Sequence, residues 1–439
     1  DWDGTTGTTR KITRDYSFTA DCTVELVDAD GARATLSSIC LGGTNADGTG
    51  VPATATVPTG IDAGAYQVVV TNTDGTESPI GVTLQVGSTR GQGDTVWRVP
   101  GDFTTIQGAI DAAGAGDIIL VAPKDDGTQY DELVVMWKPV KLQGWGAGAV
   151  TINARQVPTE KVQNWRNKVR QLIDDGLIDQ LPGQELAPAG FAALGAALFP
   201  TEEGAGIFVA GRSSGNNSFG NPQNRGARID GFNIVGASQG GGIVVNGYAQ
   251  YLQIGNNRIT GNAGAFSGGI RLGHPQLINE QGNTLSYTDA ENDFIRIHHN
   301  HIARNGGRGG GAGGGLSLHT GADDYSVERN WICGNFSSGS GAGIGHLGLS
   351  DNGVISDNMI LFNESFAQAN ATSGGGIFIA GQTGLQPNNA GLLLSPGSGS
   401  VTVDSNVIRG NLAGAGDGGG IQLLSVNGED VTGNANSWH

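Results

Sequence analysis

A histidine beside a glutamate can trade a proton near neutral pH, and one stretch of this 439-residue chain offers such a pair. The segment RIHHNHIARN, residues 296–305, carries His298; SVERN, residues 326–330, carries Glu328 at the matching place one repeat later. Alternate residues of a strand face opposite ways, so a shared register sets His298 and Glu328 side by side on an outward face. His301 falls in a second outward column with Arg258 and Trp331. Arg258 has the charge to hold a carboxylate, and the Trp331 ring gives a sugar a flat surface to stack on. Read as chemistry, His298 and Glu328 are a catalytic acid–base pair, and Arg258, His301 and Trp331 bind the substrate. Read without chemistry, the same side chains are an exposed ladder of mixed polar residues with one weak ion pair. A metal held by His298, His299 and His301 is disfavoured, because adjacent residues of one strand point apart.

That register rests on a repeat. From about residue 204 onward the frame N-x-I-x-x-N recurs at Asn257/Ile259/Asn262, Asn300/Ile302/Asn305, Asn330/Ile332/Asn335, Asn358/Ile360/Asn363 and Asn406/Ile408/Asn411. An aliphatic residue stands three places before each first Asn: Ile254, Ile297, Val327, Ile355 and Val403. Each unit reads as two short strands meeting at a bend, each contributing one inward aliphatic group. The recurring Asn is expected to occupy left-handed backbone geometry at that bend, which it tolerates well. Stacked on like coils ~4.8 Å apart, its carboxamide can bond up and down the stack. A Gly-led apolar strand alternates with this frame, starting at Gly206, Gly242, Gly269, Gly315, Gly343, Gly376 and Gly420. One coil cannot bury its own apolar face, whereas a stack can. Two places before the bend Asn, the outward column runs Asp230, Gly255, His298, Glu328, Ser356, Asp404, with its acids not adjacent. His346 is expected among inward-facing residues, either as a hydrogen-bonded core histidine or at a local slip of register.

Upstream, VWRVPGDFTTIQGAIDAAGAGDIILVAP gives a strand, a short helix with Ile106, Ala109, Ile110 and Ala113 on one face, and a buried strand. Residues 159–175 are predicted helical, with Thr159 as N-cap, a stripe of Val162, Trp165, Val169, Leu172 and Ile173, and Gly176 as the stop. A looser helix is expected over Ala187 to Phe199. Trp97, Trp137, Trp145 and Trp165 are expected to pack the helix over 159–175 onto the first coils, with sugar stacking as the alternative. Residues 1–90 read as short strands around Asp-Gly turns at Asp30-Gly31 and Asp74-Gly75, which suits a small β-sandwich. Asp-x-Asp-Gly occurs twice there without the later ligands of a calcium loop, so hairpin chemistry is the better reading.

Composition narrows the function classes. Seventy-seven glycines without a three-residue period exclude collagen, and 37% hydrophobic residues are too many for a mostly disordered chain. A net charge of −17 repels phosphate backbones, so nucleic acid is not an expected partner. No apolar run reaches the ~20 residues a membrane-spanning helix needs. Of the three cysteines, Cys22 and Cys40 share the β-like N-terminal stretch. A disulfide between them fits an oxidising compartment; two reduced core cysteines are the alternative. Cys333 sits within a repeat, as a small buried hydrophobe.

The frame I-x-x-N-x-I-x-x-N, the Gly-led strands and FTTIQGAIDAAGAGDIILVAP together resemble the right-handed parallel β-helix, pectate-lyase-like superfamily. AGAYQVVVTNTDGTES and the closing VTLQV resemble immunoglobulin-like modules of the IPT/TIG type. These resemblances imply an all-β chain: a small immunoglobulin-like β-sandwich over 1–90, then a right-handed parallel β-helix solenoid over 96–439. Its N-terminal cap spans about 96–150, a helical insertion about 157–203, and repeated coils 204–439. The superfamily contains noncatalytic surface proteins as well as polysaccharide lyases and hydrolases. A hydrolase needs paired acids on adjacent coils, and a lyase needs carboxylates on calcium plus a basic residue; the outward column supplies neither. The expected function is therefore a noncatalytic, secreted or cell-surface scaffold binding glycan or a partner protein, through the insertion 157–203 or an unfinished C-terminal coil. The alternative is a polysaccharide lyase or hydrolase acting on an acidic glycan, for which calcium is the one cofactor in view.

Overall fold

The computed structural model describes residues 22–28, 31–39, 54–57, 60–77, 81–86, 95–184, 201–275, 277–281, 284–308, 313–368, 370–382 and 396–427. The chain divides into two compact units, Asp1–Thr89 and Arg90–His439.

In the first unit, Thr23–Val27 is the inner strand of an antiparallel sheet, flanked by Arg33–Thr35 and Gly64–Thr71, with Val82–Val86 beyond. Both turns follow from their residues. Gly31 takes φ +83° while Asp28 Oδ1 accepts the Ala32 N–H at 2.8 Å; Gly75 takes φ +82° while Asp74 Oδ1 accepts the Thr76 N–H at 2.9 Å. Alternation along the strands collects Val24, Leu26, Leu36, Val68 and Val70 into one core, with Cys22 at its edge. Ser37–Ile39 and Thr54–Thr56 form a separate antiparallel ribbon. Cys22 is disulfide-bonded and Cys333 is a free thiol; Cys40, the expected partner of Cys22, lies outside the described residues.

The second unit is built almost wholly of parallel strands. One sheet of nine runs from Val96–Val99 to Val401–Asp404, one of seven from Thr151–Asn153 to Val407–Arg409, and one of eight from Val134–Met136 to Ile421–Leu424. Five two-residue strands, Ala263–Gly264 to Leu412–Ala413, make a fourth. The chain visits them in turn. Gln253–Gly255, Arg258–Thr260, Ala263–Gly264 and Ile270–Leu272 complete one circuit, and Arg296–His298 begins the next by pairing with Gln253–Gly255. This is a solenoid of parallel strands in register. Its interior is the predicted aliphatic set: Ile254, Ile259, Ile297, Ile302, Val327, Ile332, Ile355 and Ile360 are buried, each contributing roughly 1.5–3 kcal/mol.

Asparagines lock the corners on either side of the seven-strand sheet. Asn257 Nδ2 donates to Asn300 Oδ1 at 3.1 Å, and the pattern continues through Asn330, Asn358 and Asn406 at 2.9–3.0 Å. Asn262, Asn305, Asn335, Asn363 and Asn411 form a second ladder at 2.9–3.2 Å. The left-handed residue, however, is not the Asn, as the sequence led us to expect, but the one before it. His299 (φ 53°), Arg329 (54°) and Asp357 (56°) precede the first ladder; Arg304 (57°) and Phe362 (54°) precede the second. The reason lies in the carboxamide. Asn300 Oδ1 accepts from both the backbone N and Nδ2 of Asn257, while its own Nδ2 reaches the Ile254 carbonyl at 2.8 Å. The position selects a short side chain with a donor and an acceptor, and the preceding residue takes the strained backbone. Glycine is needed where coils stack without clearance: a methyl on Gly376 would sit 2.5 Å from the Gly420 carbonyl oxygen.

Helix α1, Ile106–Ala112, closes the first coil with Ile106, Ala109 and Ile110 buried and Thr105 Oγ1 accepting the Gly108 N–H at 3.1 Å. Helix α2, Glu160–Asp174, buries Trp165, Val169 and Leu172. The Trp165 ring meets Phe208 edge-on at 5.2 Å, and Arg166 grips Glu203 through two bonds of 2.6 and 2.7 Å. Two expectations fail locally. Thr159 has helical backbone angles and makes no side-chain cap, because the chain is already turning before it; Gly176 does take the left-handed stop at φ 63°. Trp145 is 60% exposed and takes no part in packing α2, unlike Trp165. The helix expected over 187–199 lies outside the described residues, as do residues 428–439. No helix among the described residues is long and apolar enough to cross a membrane.

Candidate functional site

Parallel pairing brings His298 and Glu328 opposite each other, in line with Gly255 before them and Ser356 after them. Gly255 makes room for the imidazole: a methyl there would lie 2.5 Å from His298 Cε1. The half-buried His298 turns its Nδ1 to His299 Nδ1 at 3.2 Å. Burial, then the charges of Arg296 and Arg329 with His299 beside it, hold its pKa well below the ordinary histidine range. Glu328 is engaged elsewhere. Arg296 Nη2 donates to its Oε1 at 3.1 Å and Ser326 Oγ to the same oxygen at 3.0 Å. Burial pushes the Glu328 carboxyl up, but Arg296 and these bonds outweigh it and leave the pKa below the usual value. At neutral pH the site thus holds a neutral imidazole and a committed carboxylate. The arrangement offers no protonated carboxylic acid to a leaving group.

The second column is also in register: Arg258 pairs with His301, His301 with Trp331 and Trp331 with Met359. Arg258 is exposed, and the His301 ring meets Trp331 at 6.2 Å and 78°. Burial, then Arg258 and Arg304, lower the pKa of His301. Two exposed guanidiniums therefore flank a neutral imidazole and an indole, on a chain whose overall charge is −17. This combination can receive a carboxylate and the face of a sugar ring.

Carboxylates do stack at another corner, between the eight- and nine-strand sheets. Asp293 Oδ1 accepts the Asp323 N–H at 3.1 Å, Asp323 Oδ1 the Asp351 N–H at 2.7 Å, and Asp351 Oδ1 the Ser400 N–H at 3.0 Å. Burial, then the like charges of Asp289, Asp323 and Glu291, push Asp293 up to about 7 against the bond from Asp323. These side chains cap backbone amides rather than converge: no group of three or more His, Cys, Asp or Glu among the described residues is arranged to hold a metal.

Sequence reasoning missed a polar cluster on the outer face of the eight-strand sheet. Arg271 and Glu202, each 1% exposed, are ion-paired through Nη2 and Oε1. Thr201 Oγ1 donates to Glu202 Oε1 at 2.7 Å, and His274 Nε2 lies 3.2 Å from that hydroxyl. Arg271 Cζ stands 5.4 Å over the Phe266 ring. Burial raises the Glu202 pKa, but Arg271 and His274 outweigh it. The available signal was a polar residue at the outward place of the strand Ile270–Leu272, where the preceding coils have Phe208 and Val244. His346, by contrast, is the expected core histidine, with Nδ1 2.9 Å from Tyr325 OH and Nε2 2.8 Å from the Ser398 carbonyl.

Comparison of the chain with protein-family models, with curated proteins and with solved structures found no match.

Proposed function

We propose that this protein is a noncatalytic scaffold of the secreted or cell-surface kind, a right-handed β-helix of the pectate-lyase-like type behind an immunoglobulin-like module, which binds an acidic glycan. The observation that carries this reading is the column Arg258, His301, Trp331, where an exposed guanidinium stands in register with a half-buried imidazole and indole while Glu328 is tied to Arg296. The disulfide at Cys22 supports an oxidising compartment. Local charge supports the choice of ligand: Arg258 on the seven-strand sheet, and Arg304 and Arg329 at its two opposite corners on the following coils, are all exposed, and nearby cations can overcome the long-range repulsion of an acidic chain at physiological salt.

Affinity electrophoresis of the intact chain through gels containing polygalacturonate or a neutral glucan tests the reading. Retardation by the uronate polymer, lost in Arg258→Ala and in Trp331→Ala, is the expected result. Equal mobility in both gels counts against it.

A further inference from the structure

The outer surface of the seven-strand sheet, and of the two-residue strands that follow it, changes character along the coils. On the earlier coils its exposed side chains include Arg258, Arg304 and Arg308. On the later ones they are apolar: Phe336, Met359, Phe362, Phe366, Val407 and Leu412 are 37–59% exposed. Register makes these neighbours. Met359 pairs with Val407, and Phe336 and Leu412 stand on either side of Glu364. The Phe362 ring lies over Gly410, where a methyl would come 2.5 Å from its Cδ1, and a methyl on Gly414 would lie 2.9 Å from Phe366 Cδ2. Their exposure is not that of a terminal coil. Phe336 has Gly306 before it and Glu364 after it, and Met359 has Trp331 before it and Val407 after it.

Single exposed apolar residues are ordinary, whereas a contiguous patch marks a contact surface. At ~200 Å² for a whole aromatic side chain, these six expose about 500 Å². A stable interface takes about 800 Å² from each partner, and one between like chains is about 65% apolar. The patch supplies that apolar share. Two charged side chains stand within it: Arg409, in register with Leu361 just before the Phe362 corner, and Glu364 just after it. Both are exposed, and neither makes an ion pair or a side-chain hydrogen bond among the described residues. One acid and one base in a single patch are complementary to the same patch turned about a two-fold axis, because each meets the other's counterpart. A ligand of one charge sign would leave one of the two unanswered, and Phe, Val, Leu and Met offer sugar hydroxyls no hydrogen bond.

We propose that this face is the interface of a two-fold homodimer, with Phe362 at the axis and Glu364 of each copy paired with Arg409 of the other. The interface is centred on the coils beyond Trp331 and does not depend on glycan binding.

Sedimentation velocity of the intact chain over about 1–100 μM provides the test, at about 0.15 M salt, where the −17 charge of each copy is screened within ~8 Å. A species of twice the chain mass is expected. Phe362→Asp should leave only monomer; Asp accepts the left-handed backbone of this place (φ 54°), so the fold is kept and far-ultraviolet circular dichroism should match the parent. Glu364→Arg and Arg409→Glu should each weaken association about tenfold or more by setting like charges face to face, and the double reversal should restore it. Restoration is specific to a second copy of this chain. If Phe362→Asp does not fold, the reversals at the two exposed charges decide alone. A monomer throughout the range, which would give the face to a different partner, overturns the proposal. So does a dimer indifferent to Phe362→Asp, or a double reversal no better than the single ones.

Discussion

Glu328 stands opposite His298 across two parallel strands, yet its carboxylate belongs to Arg296, whose Nη2 lies 3.1 Å from Oε1. Register alone would read the first relationship as an acid–base pair; the hydrogen bonds read the second as a structural clamp. The distinction has a pH signature. Because the folded-state pKa of Glu328 is below the ordinary glutamate value of 4.5, the stability it adds is present above that value and disappears as pH falls through the lower, folded one. Glu328→Gln should thus be less stable than the parent at pH 7 and converge with it in acid. Urea titrations at several pH values check this; a constant difference across the range would remove the clamp.

Asp293 behaves oppositely. Its pKa is raised to about 7, so it stays protonated in the fold at pH values where the unfolded chain has released the proton. Stability from this group is complete below the unfolded value near 3.8 and is lost as pH rises through about 7. Asp293→Asn keeps the acceptor for the Asp323 N–H but removes the charge. It is expected to melt above the parent at pH 8 and to approach it near pH 4, as read by thermal melts.

Interior and terminal rungs of the ladders should differ in worth. Asn330 accepts from the backbone N and Nδ2 of Asn300 and donates to the Ile297 carbonyl and to Asn358 Oδ1. Asn330→Ala strands these buried groups and should cost about 3 kcal/mol or more. Asn411, half-buried on the last rung, accepts from Asn363 and donates to the Ile360 carbonyl. Its replacement by Ala should cost about 1 kcal/mol, because water can serve part of what is lost. Denaturant midpoints of the two variants give the comparison.

The frame I-x-x-N-x-I was legible because its period forces equal residues into stacked positions, and the pairing of Ile259, Ile302, Ile332 and Ile360 follows it. Which residue of the corner turns left-handed was not legible. That depends on how far the carboxamide must reach, and sequence does not carry the offset: His299 and Phe362 look like poor candidates and take the positive φ nonetheless. The outward columns could be written down from the repeat, but not their hydrogen bonds, since the partner of Glu328 is a residue of the preceding coil's own strand. Glu202 and Arg271 were out of reach for a different reason. They stand 69 residues apart, and the segment bearing Glu202 belongs to no repeat, so no period connects it to the strand it covers.

The central claim is that the Arg258 column holds an acidic glycan without cutting it. Isothermal titration of polygalacturonate into the protein, followed by chromatography of the same samples with and without calcium, addresses both halves at once. Saturable heat, reduced about tenfold or more in Arg258→Ala, with the polymer recovered at its starting length, is the predicted result. Unsaturated or newly reducing ends that accumulate with time and vanish in His298→Ala or Glu328→Ala would contradict it.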